Sequence, residues 1–520
     1  MVKYNIIPKP NNYISGDSEY SVSSDTPVIC FEEFIEAGRL ISDYLKTKPD
    51  GTDGCIRIKK VANLAKEAYA LKITNDGVFI YASEAAGAYY AAVTFKTVLM
   101  QAKKENGKAV LNTLVIEDSP DNNYRGLMLD SSRHFFDVET VKSVLENMAF
   151  LKLNKFHWHL SDDQGFRIES KLFPELNRVG SYRASAHLTH KGLGYEPDGE
   201  NYGGYYTQDE IRDIVEFAAK RNIEIIPEID VPGHTMSIIA SIPSLSCDSK
   251  KREVTYVAGI SDAILCAGNP ETFEFLDKLL GEICGLFPSP VFHIGGDEAF
   301  RGYKLWENCE KCQALKKDLG LKSEKELQVW FMNEVKKILE KYGKTPVAWD
   351  DCVCDELDGG VAGQLWRTTA VSTIKKQSFN RNTVISPMSH FYFDIKYSLL
   401  PLKKVYRFNK YKMGFTKPEQ KALGLECELW TEWIDSKDAL EFSAFPRVNA
   451  FSEVAWTKLT NRNYKDFYKR LEWYKTYMKK KGVNYSRVES GVGLSKAFIY
   501  HLGSEGSEYK KSMELKNKEE

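Results

Sequence analysis

The run His293-Ile-Gly-Gly-Asp-Glu-Ala299 sets two carboxylates side by side directly after a glycine pair. Adjacent acids can divide labour: the ionised one raises the pKa of its neighbour, which then holds a proton it can give away. Gly295 and Gly296 allow a close backbone turn and leave room for a ligand. An isolated Asp-Glu pair would read as a solvated helix start, where both charges are favourable. Asp297 and Glu298 are not isolated. Asp130 and Arg133, then His157, His159, Asp162 and Asp163, then Glu228, Asp230 and His234 all sit at or just beyond the ends of strand-like apolar runs. So do Trp349 and Asp350, Trp366, Tyr392 and Asp394, and Trp430 and Glu432. Tryptophans beside carboxylates suit a sugar, whose C–H faces stack on rings while its hydroxyls take hydrogen bonds. His157 and His159 share a strand face. With His234 and the acids they could ligate a divalent metal, or form a hydrogen-bonded network that orients Asp297 and Glu298. No helical HExxH pattern supports the metal.

These residues need a scaffold that brings many strand ends to one place. From 126 to about 456, strand-like runs alternate with amphipathic helical runs. The strands are read at 126–132, 155–162, 223–230, 291–298, 345–351, 361–366, 383–389 and 423–430. Helices are read at 137–153 and 207–221, the latter opening on a Thr207/Glu210 capping box. Eight such repeats predict an α/β protein with a (β/α)8 TIM barrel, whose site lies where the strand C-termini converge. The helix after the seventh strand is the weakest in the pattern. Residues 1–120 read as a small non-catalytic α+β domain with an antiparallel sheet, with helices over 32–48 and 83–102. The barrel occupies 121–460. Residues 461–520 supply a helix over 463–482 and a charged tail expected to be solvated and frayed.

The composition is that of an ordinary soluble globular protein: 520 residues, 43% hydrophobic and 28% charged. With 71 basic and 72 acidic residues the formal net charge is -1, which argues against nucleic acid or an anionic membrane as partner. The N-terminal run MVKYNIIPKPNNY has no apolar stretch of signal-peptide length, so the chain as given is expected in the cytoplasm, short of a leader already removed. Ten cysteines are spread thinly. Cys309-x-x-Cys312 with Cys352-x-Cys354 could hold zinc, but the C-x-C half and the separation favour reduced thiols, so no metal or cofactor is expected.

The segments GLMLDSSRHF, HWHLSDDQGFR, EIDVPGHT, HIGGDEA and LWTEW, in this order and spacing, resemble the signature segments of glycoside hydrolase family 20, the β-N-acetylhexosaminidases. The resemblance implies a retaining, substrate-assisted reaction, a case outside the usual carboxylate-separation rule. It implies Glu298 as general acid and base, and Asp297 as the group that orients the substrate's acetamide. Tyr392 would bond the acetamide oxygen. Trp349, Trp366 and Trp430 would wall the acetamide and ring. Arg133 would bind O3 and O4, and Asp394 and Glu432 would take O4 and O6. Asp162 and His234 would support Asp297, and His157 would hold the site together. The resemblance implies release of a terminal GlcNAc or GalNAc; release of a disaccharide, as by a lacto-N-biosidase, is the nearest alternative, and a metal-dependent barrel hydrolase a more distant one. Chain-length preference is expected to reside in the loop 316–327 and in the inserts after HLSDDQG. The sequence fixes no oligomeric state.

Overall fold

The computed structural model describes residues 3–47, 54–188, 199–489 and 507–519. The chain opens with a seven-stranded sheet: β1 (Asn12–Val22), β2 (Val28–Cys30), β3 (Ile56–Lys60), β4 (Tyr69–Thr74), β5 (Gly77–Ala82), β6 (Lys103–Glu105) and β7 (Lys108–Asp118). It carries α1 (Ile35–Leu45) and α2 (Ala85–Met100), both where helical periodicity predicts them. The sheet is mixed rather than antiparallel. The β2–β3 and β3–β5 pairs run parallel, because α1 carries the chain over between β2 and β3, and the β4–β5 hairpin places β5 beside β3.

A closed parallel barrel of eight strands follows: β8 (Tyr124–Asp130), β9 (Lys155–His159), β10 (Glu224–Glu228), β11 (Val291–His293), β12 (Thr345–Trp349), β13 (Ala362–Leu365), β14 (Thr383–Ile385) and β15 (Ala422–Leu429). Each falls inside, or within two residues of, a run expected from sequence. The outer layer includes α3 (Val138–Phe150), capped by Asp137 accepting from the Thr140 amide, and α4 (Gln208–Ala219), with the expected Thr207/Glu210 capping box. It continues with α5 (Pro270–Cys284), α6 (Glu310–Asp318) and α7 (Glu324–Lys341). The expected loop 316–327 is therefore the turn between α6 and α7, built mostly from their ends. Of the inserts after HLSDDQG, residues 189–198 lie outside the described residues.

The repeat is not regular. Between β12 and β13 the described chain makes turns and no helix. The apolar residues that the run DDCVCDELDGG buries are only Cys352, Val353 and Leu357, too few for a long stripe, and its Gly-Gly end disfavours a helix. Arg381 fills the gap: its buried guanidinium donates to the carbonyls of Leu357 and Asp358, both at 2.7 Å, and to that of Val361. After β14 only short helices form, Met388–Phe391 and Leu402–Tyr406, each begun by a proline. The expected frayed tail is also corrected. Ser507–Glu519 is a helix, and Glu508 accepts from the amides of Tyr397 (2.8 Å) and Ser398 (3.1 Å).

The first sheet and the barrel are locked by buried charge. Arg125, fully buried at the start of β8, donates two 2.9 Å bonds to Glu67 and one to the Tyr90 hydroxyl. Asp118 accepts from the Trp456 indole at 2.9 Å. Among the described residues no helix is long and apolar enough to cross a membrane.

Candidate active site

Inside the barrel, composition changes with height. Tyr124, Ile226 and Val384 pack as an apolar floor. Above them lies a buried layer of acids and imidazoles. His157 sits between Glu426 (2.9 Å) and Glu228 (3.0 Å), and His293 lies 2.7 Å from Glu228. His159 contacts Glu228 and, through its other nitrogen, Asp162 at 2.8 Å. Burial alone would lower both histidines. The carboxylates more than offset it, raising His157 to about 10 and His159 to about 9. Both are imidazolium cations at neutral pH. A histidine whose folded pKa is raised stabilises the fold fully below its unfolded pKa, near 6.5, and loses that contribution as pH rises through the folded value. The melting temperature should therefore fall between about pH 7 and pH 10, and the fall should be smaller in His157→Gln. Equal slopes in calorimetric scans of the two proteins would refute the assignment.

Asp297 and Glu298 stand above this layer, beyond β11. Gly295 has a φ of 61°, and a Cβ there would lie 1.6 Å from an Asp230 carboxylate oxygen. Glycine is thus required, and it lets Asp230 accept the Gly296 amide at 2.9 Å. Glu298 itself is left-handed, with φ 50°, a conformation that costs about 1–3 kcal/mol and clusters at functional sites. His234, also left-handed, faces both acids: its Nε2 is 3.7 Å from Asp297 and 3.6 Å from Glu298. Its Nδ1 lies 3.0 Å from Asp162. Burial works against the His234 charge, but Asp162 and Asp297 raise its pKa well above the usual imidazole value. Burial pushes Asp297 up to about 7; His234 pulls it down, while Glu298 and Asp351 push it further up. Asp297 Oδ1 and His234 Nε2 are buried without a hydrogen-bond partner, a costly state that a ligand's polar group would relieve.

An arc of rings walls the space beside the acids. Ring centroids are 5.9 Å apart for Trp349–Trp430, 6.3 Å for Trp430–Tyr392 and 6.2 Å for Tyr392–Trp366. Two of the rings are anchored by hydrogen bonds. Trp349 donates to Glu228 at 2.9 Å, and Trp366 donates to Asp351 at 2.8 Å. Asp351 also accepts the Glu298 amide at 3.4 Å, so one carboxylate ties the wall to the acid. The Arg133 guanidinium sits 4.9 Å from the Trp430 ring centre. It bonds Asp162 at 2.7 Å and Gln164 at 3.1 Å, and reaches Glu432 at 3.9 Å. Asp394, with a buried unpartnered Oδ1, is pushed up to about 7 by burial and by Glu432.

All twelve site residues expected from sequence thus lie in one connected constellation. His157 is the deepest, a buried support below the mouth. Three partners escaped the sequence reading: Asp351, Glu426 and Glu428. The alternation Glu426-Cys-Glu428 within β15 was the available signal, since it turns two acids to the same interior face. Four groups in this region have ligand atoms close enough for a metal: His157/Glu228/His293, His157/Glu426/Glu428, Asp162/Asp163/His234 and Asp230/His234/Asp297. Their histidines already face carboxylates on the sides described. The cysteine reading is corrected. Cys352 and Cys354 do not join Cys309 and Cys312; Cys247 and Cys266 do.

Comparison with known proteins agrees with this geometry. Residues 122–459 match the family model described as glycosyl hydrolase family 20, catalytic domain, and residues 3–119 match domain 2 of the same family. A β-hexosaminidase of Porphyromonas gingivalis is 32% identical over 92% of this chain; the match spans 64% of that relative, a little under two thirds of its length. A β-hexosaminidase of Vibrio furnissii is 31% identical over 86% of this chain and 76% of its own. Among solved structures, a family 20 exo-β-N-acetylglucosaminidase of Vibrio harveyi, in complex with N-acetylglucosamine, superposes with a TM-score of 0.82. Its identity is 30%, over 93% of this chain and 78% of its own. A β-N-acetylhexosaminidase of Streptomyces coelicolor gives 0.80 at 28% identity, over 93% and 97%. With its barrel matched from end to end, this chain belongs to glycosyl hydrolase family 20.

Proposed function

We propose that this protein is a retaining exo-β-N-acetylhexosaminidase that removes terminal GlcNAc or GalNAc from β-linked oligosaccharides or glycoconjugates. The observation that carries the reading is the Asp297–Glu298 pair facing a pocket of four aromatic rings, with a buried Asp297 oxygen awaiting a donor. Glu298, the more exposed acid, protonates the leaving glycosidic oxygen. The substrate's acetamide oxygen attacks C1 from the opposite side, and an intramolecular nucleophile gains from high effective molarity. Asp297 accepts the acetamide N–H and stabilises the oxazolinium charge in a water-poor site. Tyr392 donates to the acetamide oxygen. Glu298 then deprotonates the water that opens the ring, and two inversions give net retention.

Arg133, Glu432 and Asp394 close the far side of the pocket around O3, O4 and O6, which favours one terminal sugar over a disaccharide. His234, charged and held by Asp162, positions Asp297 and Glu298. The engagement of His157 and His159 with carboxylates favours this positioning role over metal ligation. The domain at 1–120 supports the barrel without touching the chemistry. The test compares matched aryl β-glycosides. The 2-acetamido sugar should be hydrolysed at least ~1,000-fold faster in kcat/KM than its 2-hydroxy analogue, with the β-anomer as first product by NMR. Equal rates on both, or the α-anomer first, would overturn the mechanism.

A further inference from the structure

Four cysteines from two separate loops meet away from the candidate active site. Cys247 and Cys266 lie in the long connection after β10; Cys309 caps the N-terminus of α6, and Cys312 lies in its first turn. All four sulfurs lie within 4.8 Å of one another. The Cys266–Cys312 separation is 3.6 Å, Cys266–Cys309 is 3.7 Å and Cys247–Cys312 is 3.8 Å. Cys266, Cys309 and Cys312 are buried, and Cys247 is partly so.

We propose that these four cysteines form a structural tetrathiolate zinc site. A Zn–S bond of ~2.3 Å in a tetrahedron sets the sulfurs ~3.8 Å apart, the spacing found here. Disulfides would require each sulfur to have one partner at ~2.05 Å. Instead Cys266 and Cys312 each approach two others equally. The surroundings suit thiolates. The Gly268 amide donates to Cys312 Sγ at 3.3 Å, and Cys309 and Cys312 sit at the N-terminus of α6, where the helix dipole favours negative charge. Gly268 is needed for this approach, since a Cβ there would lie 2.3 Å from the Lys311 carbonyl carbon and 2.4 Å from the Cys312 nitrogen. With four protein ligands the metal has no open position, so its role is structural.

The site clasps two loops that matter. The connection holding Cys247 and Cys266 also holds His234 and Ser261, and Ser261 bonds Asp163 through both its amide (3.0 Å) and its hydroxyl (2.8 Å). The stretch from Glu298 leads within eleven residues to Cys309 and is pinned midway, where the Trp306 indole donates to the Leu265 carbonyl at 2.9 Å. Zinc would thus fix the loop of His234 against the loop of Glu298.

Elemental analysis of the full-length chain, purified under reducing conditions from zinc-replete cells, should give about one zinc per chain. Brief EDTA treatment should leave the metal in place, and a mercurial titrant should release it as the thiols are consumed. Cys312→Ser and Cys309→Ser should each carry less than ~0.1 zinc and lose thermal stability. If those variants do not fold, wild-type protein produced in cobalt medium should show thiolate-to-cobalt charge transfer and the visible bands of a tetrahedral site. Less than ~0.1 metal per wild-type chain, no such cobalt spectrum, or a Cys247–Cys266 or Cys309–Cys312 disulfide in alkylated peptides would overturn the proposal.

Discussion

Glu298→Gln is expected to cut turnover of a glycoside with a poor leaving group at least ~100-fold, because the glutamine cannot deliver a proton to the departing oxygen. The loss in kcat/KM, which reports the first step, should shrink sharply for a dinitrophenyl leaving group, which departs without protonation. Water still needs a base to open the oxazolinium, so hydrolysis of that substrate should remain slow until azide, which needs none, is added. The β-glycosyl azide should then accumulate. The variant should fold normally, since the side chain is partly exposed and the backbone amide that bonds Asp351 is unchanged. Near-wild-type rates on both substrates would remove Glu298 from the chemistry.

Asp297→Asn should lower kcat by ~10²–10³, with kcat/KM falling in parallel, because it deletes a charge interaction that matters most in the oxazolinium-like transition state. The same change should raise the melting temperature. Burial holds Asp297 near 7, with Glu298 and Asp351 adding repulsion, so at pH 8 the folded protein carries an unfavourable buried charge that asparagine lacks. The gain should shrink as pH falls below about 7 and vanish only below about pH 4, where the carboxyl is protonated in the unfolded chain as well as in the folded one. Loss of activity together with lower stability at pH 8 would mark Asp297 as a structural residue instead.

Much of this was legible in the linear chain. The barrel strands announce themselves through short, mostly apolar runs that end in polar residues, and Thr207/Glu210 announces the start of α4 through cap chemistry alone. Local signals could not predict features set by distant partners. Helix propensity gives no notice that Arg381 substitutes for a helix after β12. A charged tail reads as solvated until Tyr397 and Ser398 offer two amides to Glu508. The cysteines mislead for the same reason: Cys309 and Cys312 are close in sequence to each other, and Cys266 and Cys352 lie equally far from Cys309 along the chain, but only Cys266, with Cys247, folds back beside them. The left-handed backbone of Glu298 and His234 is likewise invisible, because positive φ is uncommon for any non-glycine residue and here follows from the surrounding fold.

The absent helix after β12 leaves its mark on the binding pocket. After β8, β9, β10 and β11 the loop at the mouth leads into a helix on the flank, so altering one disturbs the other. At 350–361 they are uncoupled: a single arginine gathers the carbonyls, and the segment begins with Asp350 and Asp351, which hold Trp366 and Arg367. This side of the rim can therefore gain or lose residues without a helical register to preserve, and it is the natural place for relatives to reshape the cleft around the departing aglycone.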